Sequence, residues 1–104
     1  MRHFTRLSEM LGPDGAVQMQ SIARLLHRIF EARCNGFHNE ASEKRADARE
    51  TRLENMARAL ADSHGYRVYV QRDPRGAPLY LYKTEDVRMG GIESCYSSIG
   101  TVVY

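Results

Sequence analysis

Apolar residues recur at offsets of three and four from Val17 through Ile22, Leu25, Leu26, Ile29 and Phe30. That spacing sets one stripe along a helix, with Arg24, His27, Arg28 and Glu31 mostly off it. Asp14 is a suitable N-cap, because a short carboxylate accepts from the free N–H groups of the first turn. Asn35-Gly36 supplies the stop, since both residues reach left-handed backbone cheaply. Asn39 caps a second, longer helix over about 40–64, ended by Gly65. Its first half is nearly all charge: Glu40, Glu43, Lys44, Arg45, Asp47, Arg49, Glu50 and Arg52. Its apolar stripe, Ala46, Leu53, Met56, Ala57 and Leu60, gathers in the second half. Glu40 with Lys44 and Glu54 with Arg58 attract at four-residue spacing, while Glu50 and Glu54 repel. Such a helix spans roughly 35 Å, so its polar half is expected to project beyond the core. The short link at 36–38 makes the pair an antiparallel helical hairpin. Leu26, Ile29, Leu53 and Leu60 are expected to be nearly buried.

After Gly65 the period changes from helical to alternating. Tyr66-Arg67-Val68-Tyr69-Val70 and Leu79-Tyr80-Leu81-Tyr82 flank Asp73-Pro74-Arg75-Gly76. β-branched and aromatic residues suit strands, and the middle segment suits a tight turn. Pro74 presets φ, Asp73 accepts from backbone N–H groups beyond it, and Gly76 tolerates the left-handed conformation expected there. Two registers remain open. An even loop puts Val68, Val70, Leu79 and Leu81 on one face and Tyr69, Tyr80 and Tyr82 on the other. A bulged turn instead groups Tyr80 and Tyr82 with the valines, leaving Tyr69 with Arg67. Residues 84–98 read as irregular, and Ile99–Tyr104 as a third strand. Residues 1–13 fit an N-terminal arm or a short helix: Phe4, Leu7, Met10 and Leu11 have helical spacing, and Gly12-Pro13 breaks it. Helices followed by strands predict one α+β domain, with the helical hairpin of 14–65 packed on a small, mainly antiparallel three-stranded sheet in 66–104.

Composition agrees with a single folded domain: 104 residues, 42% apolar and 27% charged. No apolar run approaches a membrane span, and the N-terminus lacks the apolar core of a secretory signal. A cytoplasmic protein without membrane partners is expected, with Cys34 and Cys95 as free thiols. The formal net charge is +2, and no segment forms a block of one sign. All basic residues except Lys44 and Lys83 are arginines, the side chain that makes planar, bidentate contacts.

No catalytic set assembles in the sequence. Cys34-x-x-x-His38, with His27 nearby, lacks the second ligand pair of a zinc site. Ser94-Cys95-Tyr96 has no glycine elbow and no adjacent base. Gly90-Gly91 lacks the strand, helix and Lys of a phosphate loop. The interleaved charges of the second helix read as a solvated face rather than paired catalytic carboxylates. The expectation is a protein that is not an enzyme and uses no cofactor or metal. Six tyrosines, five of them beyond residue 65, suit a packed face, a protein interface or a stacking platform for nucleic acid.

The stretch Asp73-Pro74-Arg75-Gly76-x-x-Leu79-Tyr80-Leu81, with Tyr96-x-x-x-Gly100-x-x-Val103-Tyr104, resembles a hairpin and terminal strand of short phage and prophage accessory proteins. About twenty residues carry the likeness, and Arg72 stands where that pattern has Gly. The resemblance implies a context, small phage genes that include inhibitors of host defence such as anti-CRISPR proteins. It transfers no activity. The expected function is binding and inhibition of a host protein machine in the bacterial cytoplasm. The alternative is a nucleic-acid-binding accessory protein. Either partner is expected to touch Arg72, Asp73 and Arg75 at the hairpin tip, with Tyr80 and Tyr82 or Tyr69 and Arg67 beside them.

Overall fold

The computed structural model describes the backbone of residues 2–83 and 101–103, and side chains of 6–83 and 103. The expectations for 84–100, including Gly90-Gly91 and Ser94-Cys95-Tyr96, lie outside the described residues, as does Tyr104. The first helix, α1, runs Arg2–Asn35 and is broken at Gly12, whose φ of 78° and ψ of 163° are not helical. The N-terminal segment is therefore a helix packed on the domain rather than an arm: Leu7 and Leu11 are buried in the core. Pro13 restarts the helix where its missing N–H has no cost. Asp14 thus lies within the new first turn instead of capping it.

The second helix, α2, is Glu40–Asp62. Asn39 caps it as expected, with extended backbone and its side-chain oxygen accepting from the Ser42 N–H at 2.8 Å. Gly65, with φ of 80°, turns the chain out after the helix while the Tyr66 N–H returns to the Ala61 carbonyl at 2.9 Å.

The buried face of α1 is Ala16, Met19, Ile22, Ala23, Leu26, Ile29 and Phe30. It meets Leu53, Ala57 and Ala61 of α2. This is rotated from the predicted stripes. Val17, Leu25 and Met56, all placed on them, keep 54%, 39% and 50% exposure, and Leu60 is only partly buried. Small residues let the helices approach closely, so Ala16, Ala23 and Ala61 are buried where bulk alone favoured Val17, Leu25 and Met56, while Ala57 is buried as predicted.

Strands β1 (Arg67–Val70) and β2 (Leu79–Tyr82) form an antiparallel hairpin. Val70 pairs with Leu79, Val68 with Leu81 and Tyr69 with Tyr80. The even register therefore holds. Val70, Leu79 and Leu81 enter the core beneath the helices. A short strand, β3 (Thr101–Val103), runs antiparallel beside β2, and its Val103 joins the same core. The α+β architecture with a helical hairpin over a small antiparallel sheet matches the pattern in the sequence. No helix among the described residues is long and apolar enough to cross a membrane.

Candidate functional site

The hairpin turn is built by Asp73. Its carbonyl accepts from the Gly76 N–H at 3.2 Å, and its carboxylate accepts from the Arg75 N–H at 3.0 Å. The Arg75 guanidinium closes on the same carboxylate through Nε and Nη2, at 2.9 Å from the latter. These contacts, the Arg75 side chain first, hold the Asp73 carboxyl down at about 2. Gly76 is not in the left-handed region expected of it: positive φ occurs only at Gly12, Gly36 and Gly65 among the described residues. An Asx-stabilised turn with ordinary backbone at Gly76 replaces the bulged form.

Two side chains fasten this turn to the helices. His27 of α1 donates from Nε2 to the Pro74 carbonyl at 2.9 Å. Arg72 reaches α2, donating from Nε to Glu50 at 3.0 Å and from Nη2 to Glu54 at 2.9 Å. Glu50 and Glu54 are buried, at 8% and 6% exposure, although they read as solvated in the sequence. Arg33 brings its Nη2 to 2.6 Å from the Glu50 Oε1. That oxygen is buried, with the Arg33 guanidinium beside it. Arg33 also pairs with Asp47 at 2.9 Å.

The two carboxyls are driven apart. Burial pushes Glu50 up, but Arg72, Glu54 and Arg33 together bring it below its usual value. Burial and the adjacent Glu50 push Glu54 up, and Arg72 and Arg58 only partly offset them. Arg72 thus ties the segment before the turn to two carboxylates of α2.

The tyrosines group as the even register has them, so the two sets held as alternatives fall together on one face. Arg67, Tyr69, Tyr80 and Tyr82 all share the sheet face turned from the helices. The Tyr69 and Tyr80 rings lie 6.2 Å apart and tilted by 43°. Tyr80 is buried, while Tyr69 and Tyr82 are half-buried. Arg67 approaches Asp62 at 4.0 Å. The tip arginines are not brought into this group.

A cluster missed in the sequence lies on the outer side of the helices. Arg24 and Arg28 of α1 face Arg75, Pro74 and Pro78 across a cleft of about 430 Å³. Arg28 also borders a second cleft, about 320 Å³, between α1 and α2. Arg24, Arg28 and Arg49 make no ion pair or hydrogen bond among the described residues. The available signal was their helical spacing: Arg24 and Arg28 are four apart, as are Arg45 and Arg49. No group of three His, Cys, Asp or Glu side chains placed to hold a metal occurs among the described residues. Cys34 is an exposed thiol. Comparison with protein-family models, with curated proteins and with solved structures finds no match to this chain.

Proposed function

We propose that the protein works by binding rather than catalysis, as a small accessory protein that occupies and inhibits a host protein machine in the bacterial cytoplasm, as anti-CRISPR proteins do. The resemblance of the hairpin to phage accessory proteins supplies the host context. The observation that carries the binding part is the set of arginines on the outer face of α1, Arg24 and Arg28, with Arg75 across the cleft and no ion pair to Arg24 or Arg28 among the described residues. Arginine is enriched where interfaces gain most of their energy, and exposed Leu25 and Val17 on the same helix add apolar area. A protein partner fits better than nucleic acid. Binding of single strands combines arginines with exposed aromatic rings, whereas here the tyrosines line the outer sheet face and these arginines the helices. Arg75 remains a contact residue in this reading and Arg72 becomes scaffold.

The test is capture from nuclease-treated host lysate with wild type and with Arg24→Glu/Arg28→Glu. A protein retained by wild type and lost on charge reversal is expected. Equal retention removes the α1 face as the contact. In a bacterium with an active CRISPR–Cas system, wild type should restore phage plaquing and the variant should not. Unchanged plaquing with both removes the anti-CRISPR reading.

A further inference from the structure

We infer that the cleft between α1 and α2 is a docking groove for an acidic, amphipathic helical segment of the partner protein. The inference rests on the binding reading above and names the chemistry of one of its contacts. The floor of the groove is apolar: Leu25 of α1, Phe37 from the inter-helix link and Ala46 of α2. The rim carries Arg28, Arg45 and Arg49, and no acidic residue lines it. This separation of charge has a physical origin. Three of the six acids of α2, Asp47, Glu50 and Glu54, lie on the flank that Arg33 and Arg72 cover. Arg45 and Arg49 point to the other flank, where Arg45 reaches only the Ser42 hydroxyl at 3.3 Å and Arg49 has no partner among the described residues. A chain of net charge +2 thus presents a locally cationic groove, because Asp47, Glu50 and Glu54 sit on the far side of the same helix and no acid lines the groove.

An apolar floor under a rim of one sign selects a ligand with apolar residues on one face and carboxylates beside them. A third helix seats naturally between two packed helices, ridges into grooves. The α1 side from Leu25 to Ala32 spans about 10 Å, or two helical turns. The occupant therefore presents apolar residues at i, i+3 or i+4 and i+7, with Asp or Glu flanking them.

The probe is a fluorescent 15-residue helical peptide with Leu at those positions and Glu elsewhere on its polar face. Its controls are a scrambled peptide of identical composition and a single-stranded DNA oligonucleotide. Anisotropy should show binding of the patterned peptide by the full chain. Arg49→Glu should weaken it at least tenfold, as should Leu25→Ser, and Lys83→Glu, just after β2 and away from the groove, should weaken it less than threefold. Backbone amides of Phe37 and Ala46 should shift on titration. Equal binding of the scrambled peptide reduces the groove to general charge attraction and overturns the inference. So does absence of binding, or tighter binding of DNA with the same Arg49 dependence. A partner lost from lysate with Arg24→Glu/Arg28→Glu but retained with Arg49→Glu leaves the binding reading standing while the groove fails.

Discussion

The arginines facing the acidic flank of α2 and those on the outer helical surface are the same residue type in opposite surroundings. Arg33 and Arg72 each hold two carboxylates, and Arg58 reaches Glu54 at 3.4 Å. Arg24, Arg28 and Arg49 hold none among the described residues. Position along the chain misleads here. Arg72 sits in a loop and fastens two elements, while Arg24 and Arg28 sit mid-helix and face solvent. What decides the duty of an arginine is whether a buried acceptor lies within reach of its guanidinium.

The largest effect expected from this division is at Glu50. Glu50→Ala removes the carboxylate shared by Arg33 and Arg72 and should lower unfolding stability by about 2–3 kcal/mol, as charged hydrogen bonds of this kind do. A loss under 0.5 kcal/mol in urea unfolding would mean that the buried flank is no tighter than the surface one.

The two glutamates should part company with pH. The folded-state value of Glu50 is lowered, so its stabilisation is present above the unfolded value near 4.5 and fades as pH falls through the folded one. Glu50→Gln should destabilise at pH 7, less so in acid. The value of Glu54 is raised, so folding is penalised as pH climbs from about 4.5 through the folded value. Glu54→Gln should be neutral or stabilising at pH 7, and its difference from wild type should vanish near pH 4. Matching pH profiles for the two variants would show that burial and neighbours treat both carboxyls alike.

Smaller still are the changes at the turn. A Cβ on Gly76 meets the Gln71 Nε2 at 3.0 Å, the movable end of a side chain. With ordinary backbone there, Gly76→Ala should shift stability by less than about 1 kcal/mol. A larger loss would restore the left-handed glycine. Arg75→Ala should leave the urea midpoint unchanged, because Arg75 is exposed and pairs only locally. The Asp73 contribution to stability, present above its unfolded value of 3.8, should then disappear nearer that value rather than as pH falls through about 2.

The hairpin was legible because Val68, Val70, Leu79 and Leu81 alternate with tyrosines, and one of the two registers gathers them cleanly. The helix caps at Asn39 and Gly65 were legible because each depends on a few neighbouring residues. The buried acids were not. Glu50 and Glu54 repel when read along the helix, and the Arg72 that reconciles them is 22 and 18 residues away. The helix faces were rotated in reading because Leu25 and Met56 outweigh Ala23 and Ala61 in hydrophobicity, while close packing favoured the smaller side chains. The outer arginine cluster depends on α1 and α2 lying side by side, which the charge order along either helix does not reveal.

Urea unfolding of Arg72→Ala beside the triple variant Arg24→Ala/Arg28→Ala/Arg49→Ala tests the division of the arginines most directly. Loss of Arg72 leaves two buried carboxylates short of a donor and should lower stability by about 1–2 kcal/mol. The triple variant should stay within about 0.5 kcal/mol of wild type, as surface changes without partners do. If Arg72→Ala is silent, or the triple variant loses as much, the arginines are not divided into those that hold the fold and those that do not.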